Sequence, residues 1–148
     1  HYTAGRSAES SVSWLLNPQA KASAHLVIGR DGSITQLVPF NVVAWHAGAS
    51  TWAGREHCND YSIGIELEGL ESECFEAPQY TALARLLRSA ARQYPIDAVG
   101  GHEHIAPGRK ADPGPGFNWL ALSRELGGML RVASQALVGH RGSSGYGR

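Results

Sequence analysis

Residues 78–94 constrain the fold most. Tyr80, Leu83, Leu87, Ala90 and Tyr94 recur at steps of three and four, with Pro78 near the start and Pro95 just past the end. That spacing predicts an amphipathic helix, whose apolar stripe must lie on another apolar surface. The surface is offered by residues that alternate or run apolar in short stretches. Residues 24–29 and 34–38 are β-rich runs on either side of Asp31-Gly32, the signature of a hairpin turn. In residues 62–68, Ile63, Ile65 and Leu67 share one face of a strand, which leaves Gly64, Glu66 and Glu68 on the other. A short helix is expected over 7–16, ended by Asn17-Pro18, and a second amphipathic helix over 117–133, weakened by Gly127-Gly128. Residues 44–60 read as a loop. The expected class is α/β, a single domain with a central mixed β-sheet flanked by α-helices.

With 148 residues, 43% of them hydrophobic, the chain can build one core and needs no second domain. We expect a folded domain over 1–135 and a flexible tail over 136–148, rich in Gly and Ser. Thirteen basic and 13 acidic residues cancel, so there is no electrostatic footprint for nucleic acid or an anionic membrane, and no apolar run is long enough to span one. Cys58 and Cys74 are too few for a disulfide framework and are expected as free thiols.

Chemistry concentrates in residues 100–116, where His102, His104, Lys110 and Asp112 lie among glycines and prolines that stop helix and strand. His102 and Asp112 could converge on one cation, because zinc accepts imidazole nitrogen and carboxylate oxygen and a catalytic zinc takes three protein ligands. The spacing shows only two. A solvated turn in which His102 merely packs stays open, since no short ligand motif such as HExxH is present. Trp45 and Trp52 could be platforms for a ligand or satellite core residues, and His25 could be a buried imidazole bonded to backbone.

Several blocks together carry more. His1-Tyr2-Thr3-Ala4, Ser23-Ala24-His25, Arg30-Asp31-Gly32, Trp45-His46-Ala47-Gly48, Asn59-Asp60-Tyr61-Ser62-Ile63-Gly64-Ile65-Glu66 and Gly101-His102 through Asp112-Pro113-Gly114 resemble the zinc-dependent N-acetylmuramoyl-L-alanine amidases. This is the type 2 family, which also holds the peptidoglycan recognition proteins. Cys58-Asn59-Asp60, Glu66-Leu67-Glu68-Gly69 and residues 109–115 look most like its cytoplasmic branch that recycles anhydro-muropeptides.

The resemblance implies Zn2+ held by His1, His102 and Asp112, with Glu66 and Lys110 as the catalytic pair. It implies hydrolysis of the amide between N-acetylmuramic acid, or its 1,6-anhydro form, and the L-alanine of a stem peptide. Lys21 and His57 stand where the recycling enzyme has arginines that hold the peptide, and Trp45, His46 and His25 are expected along the substrate pocket. A monomer acting on muropeptides in the cytoplasm is the expected setting, with the periplasm or a phage origin as the alternatives. A noncatalytic peptidoglycan-binding module is the alternative, and a zinc peptidase cutting within the stem peptide is a second rival.

Family members carry an apolar strand just before the first ligand, whereas here His1 is the first residue. The expectation is therefore a fragment lacking its first strand, with unpaired backbone and apolar surface left beside the sheet and an α-amine able to compete for the metal.

Overall fold

In the computed structural model, which describes residues 1–133, the first residues are extended along a strand edge. Tyr2 bridges Leu67 in parallel, Leu67 N–H donates to the His1 carbonyl, and Thr3 N–H donates to the Leu67 carbonyl. The His1 backbone nitrogen donates to the Ile65 carbonyl at 3.0 Å.

Helix α1 spans Ala8–Leu15 and is capped by Ser7, whose side chain accepts from Ser10 N–H. Strands β1 (Leu26–Ile28) and β2 (Ile34–Gln36) form the predicted antiparallel hairpin. Gly32 takes the left-handed conformation the turn needs (φ +84°), and the Asp31 carboxylate accepts Ser33 N–H at 2.9 Å. All of β1 is buried and all of β2 exposed.

The expected loop over 44–60 contains a small hairpin, β3 (Thr51–Trp52) against β4 (Arg55–Glu56), and a 3-10 turn, Cys58–Asp60. Ala53 and Gly54 both have positive φ, 49° and 82°, as a two-residue hairpin turn requires. An Ala-Gly pair is a weak signal for that turn, so the hairpin did not stand out. Strand β5 (Ile65–Leu67) runs parallel to β1, with Val27 opposite Glu66, and completes a mixed sheet of order β2-β1-β5.

Helix α2 (Ala77–Gln93) buries Tyr80, Leu83, Leu87 and Ala90 of the predicted stripe. Gln79 is only 1% exposed. Its amide donates to the Glu68 and Ile28 carbonyls and its oxygen accepts Glu76 N–H, which ties the helix to β1 and to the chain following β5. Strand β6 (Ala98–Val99) and the one-turn helix α3 (His102–Ile105) follow, the latter inside what sequence suggested was loop.

Helix α4 spans Trp119–Leu126, shorter than the expected 117–133. Gly127 and Gly128 are both left-handed (φ 59° and 82°), and Gly127 N–H closes the helix on the Ser123 and Arg124 carbonyls. The residues beyond turn into strand β7 (Arg131–Val132), parallel to β6. The expected tail over 136–148 lies outside the described residues.

The core joins the sheet to α2 and α4 through Ile28, Leu67, Leu83, Leu87, Leu122 and Leu126. Among β5, β6, α2 and α4 lies a cavity of about 490 Å³, walled by Ile63, Ile65, Leu83, Leu87, Val99 and Leu122 and reaching His1, His46 and His102. Cys58 and Cys74 are free thiols, and among the described residues no helix is long and apolar enough to cross a membrane.

Candidate metal centre

Three elements meet at one end of the sheet. The edge segment beside β5 carries His1, helix α3 begins with His102, and the chain after α3 returns so that the Asp112 carbonyl accepts Glu103 N–H at 2.9 Å. The Asp112 carboxylate then spans both rings, with Oδ2 2.7 Å from His1 Nδ1 and Oδ1 3.3 Å from His102 Nδ1. One ligand atom from each of the three residues lies within 4.8 Å of the others.

The far ring nitrogens are also occupied. His102 Nε2 lies 2.8 Å from the Ala47 carbonyl. A carbonyl can only accept, so Nε2 carries a proton, and Nδ1 is the nitrogen turned toward Asp112, where a cation would be held. The donor set suits a cation that takes imidazole nitrogen and carboxylate oxygen, and zinc fits it.

Charge shapes the cluster. Burial works against an ionised Asp112, yet its bonds to His1 and His102 hold it well below the usual carboxylate range. Burial also opposes a charged His1, but the Asp112 hydrogen bond and the carboxylates of Glu66 and Asp112 outweigh it and raise the pKa. Glu66, on β5, is pushed up to about 7, chiefly by burial and further by Asp112, against the pull of His1, His102 and Lys110. A carboxyl poised there can take and return a proton near neutrality. Lys110 is exposed, and its charge is felt at both His1 and Glu66. Glu68, on the same strand face, instead accepts Arg30 N–H at 2.9 Å.

The expected substrate residues divide. Trp45 is 65% exposed, free to meet a ligand, and Trp52 lines the cavity. His46 lies inside the cluster, its Nδ1 3.0 Å from His1 Nε2. Lys21 and His57 are exposed and left-handed (φ 51° and 57°); neither side chain is bonded to the ligand cluster. For His25 the structure shows the buried imidazole bonded to backbone, one of the two readings its sequence allowed. It is 1% exposed, Nδ1 accepts Gly64 N–H at 3.0 Å and Nε2 donates to the Val42 carbonyl at 2.8 Å, so no ring nitrogen remains for a substrate.

Sequence reasoning missed the residues behind the cluster of His1, His102 and Asp112. Asn59 Oδ1 accepts the N–H groups of both His46 and Ala47, at 3.1 and 2.8 Å. Arg109 donates to the Ala47 and Ala49 carbonyls at 2.6 and 2.7 Å. Gly64 leaves room for the His46 ring, because a Cβ there would sit 2.3 Å from its Cγ. Polar residues beside Trp45-His46-Ala47-Gly48 were the available signal, but which of them face inward depends on the fold.

The sequence profile of the N-acetylmuramoyl-L-alanine amidases matches residues 1–115. The 1,6-anhydro-N-acetylmuramyl-L-alanine amidase AmpD of Escherichia coli K12 is 52% identical over 101 residues, 67% of this chain and 55% of AmpD. The N-acetylmuramoyl-L-alanine amidase AmiD of the same strain is 38% identical over 143 residues, 84% of this chain and 51% of AmiD. The chain therefore spans about half the length of the curated relatives it matches. Among solved structures, E. coli AmiD in complex with the substrate anhydro-N-acetylmuramic acid-L-Ala-D-gamma-Glu-L-Lys superposes with a TM-score of 0.78 at 38% identity, covering 84% of this chain and 55% of that one. A selenomethionine derivative of AmpD gives 0.66 at 46% identity, covering 71% and 60%. Profile, relatives and fold agree, and the chain belongs to the N-acetylmuramoyl-L-alanine amidase family.

Proposed function

We propose that this chain is a zinc-dependent amidase that cuts the bond between the lactyl group of N-acetylmuramic acid, or its 1,6-anhydro form, and the L-alanine of a stem peptide. The observation that carries the reading is the convergence of His1, His102 and Asp112 beside the half-buried carboxyl of Glu66, whose pKa its surroundings push up to about 7. Its similarity to AmpD and to AmiD supports a soluble muropeptide as substrate. Zinc bound by the three residues would polarise the scissile carbonyl and lower the pKa of water toward about 7.

The chain's own groups do the rest. Glu66 accepts a proton from the attacking water and returns it to the amide nitrogen as the carbon–nitrogen bond breaks, leaving a lactyl carboxylate and a free L-alanine amine. Lys110 offers its ammonium to the oxygen that gains charge, a type of contact worth on the order of 3 kcal/mol. Trp45 supplies an exposed ring to the substrate, and Lys21 and His57 are positioned on the surface for its peptide. Action as a monomer in the cytoplasm, on fragments released during wall recycling, completes the reading; two free thiols suit a reducing compartment.

The test is zinc content together with hydrolysis of a soluble anhydro-muropeptide, with mass spectrometry to identify the bond cut. Glu66→Gln should lower kcat by about 10²–10⁴-fold while zinc stays bound; wild-type turnover in that variant removes Glu66 from the role. Muropeptide binding with neither metal nor cleavage in the wild-type chain would assign it instead to recognition.

A further inference from the structure

His46 is bonded to a ligand at one nitrogen and to a serine at the other, and the direction of each bond can be deduced. Ser62 Oγ lies 2.5 Å from the Cys58 carbonyl, which can only accept, so the single hydroxyl proton points there. Ser62 must therefore accept from His46 Nε2, 3.0 Å away. With its proton on Nε2, the neutral His46 ring presents a bare Nδ1 to His1 Nε2 at 3.0 Å. His1 then donates from Nε2, and its Nδ1, the nitrogen facing Asp112, is the one left to bind a cation.

We propose that His46 and Ser62 are positioning residues of the metal centre, forming with the Cys58 carbonyl a one-way hydrogen-bond chain that sets His1 to ligate through Nδ1. The inference rests on the reading of His1, His102 and Asp112 as metal ligands. Ala47, the next residue, performs the same service for His102 through its carbonyl, and Asn59 holds both peptides by their N–H groups. One short segment thus orients both imidazoles, and His46 acts through His1 rather than as a fourth ligand. Buried partners of this kind fix the tautomer and orientation of a ligating ring.

The proposal is tested by titrating Zn2+ alone against a competing chelator and by reading histidine tautomers from side-chain nitrogen NMR. In the wild-type chain, with or without zinc, His46 should carry its proton on Nε2. His46→Leu and Ser62→Ala should each weaken zinc binding about 10–100-fold. His46→Asn, which restores an acceptor where Nδ1 lies, should recover much of that loss. A purely packing role would not produce this rescue. A His46 proton on Nδ1, or wild-type zinc affinity in folded His46→Leu and Ser62→Ala, overturns the proposal and leaves the ligand assignment standing. Failure of the wild-type chain to bind zinc overturns both.

Discussion

The two sides of β5 are finished to different degrees. Around the histidines, hydrogen bonds link His1, His46, His102, Asp112 and Arg109 to one another or to backbone, and among the described residues no buried side-chain nitrogen or oxygen lacks a partner. Toward β6, mostly apolar side chains wall a cavity of about 490 Å³ whose far end reaches those histidines. The two kinds of contact tolerate incompleteness differently. An unpaired buried polar group costs about 1–3 kcal/mol, and only one or two geometries satisfy it. A void among apolar groups forfeits dispersion contacts gradually, and many arrangements are nearly as good.

The comparison can be broken most directly from the apolar side. Leu122 is fully buried on the cavity wall, so Leu122→Ala should destabilise the chain by about 2–5 kcal/mol in urea unfolding. A loss well under that would mean the wall collapses and the cavity is soft. On the polar side, Glu66 has its pKa raised from 4.5 to about 7. Between those values the folded chain holds more protons than the unfolded one, so this group's contribution to stability falls as pH rises, and its penalty is complete above pH 7. Glu66→Gln should therefore stabilise the chelated protein at pH 8 by roughly 1–3 kcal/mol, with the gain fading toward pH 4. An unchanged difference across that range would show the carboxyl to be hydrated. The smallest effect belongs to the surface. Arg131 and Asp97 pair at 2.7 Å with both side chains more than half exposed, and Arg131→Ala should shift the unfolding free energy by less than about 1 kcal/mol.

Much of the fold was legible because it rests on local signals. The proline-bounded stripe gave α2, the Asp-Gly turn gave the β1/β2 hairpin, and period-two alternation put Glu66 and Leu67 on opposite faces of β5. The end of α4 was legible only in part: the double glycine was visible, but the pull of β6 on Arg131–Val132 is a long-range pairing. The site followed the same rule. His102 and Asp112 stand ten positions apart on one irregular stretch and could be read together, whereas His1 lies 111 positions from Asp112 and entered only through resemblance. His25 and His46 belong to equally conspicuous blocks, and nothing local distinguishes an imidazole tied to backbone from one tied to a ligand. That distinction arises when Gly64 N–H meets one ring and its bare Cα the other.

Gly64 also sets a rule of inheritance. It contributes no ligand atom, yet any other amino acid would place a Cβ against the His46 ring. In a library varied at every position and sorted for retention of the proposed zinc site, Gly64 should tolerate as few replacements as the imidazoles themselves. A lineage can lose the centre by gaining a methyl group.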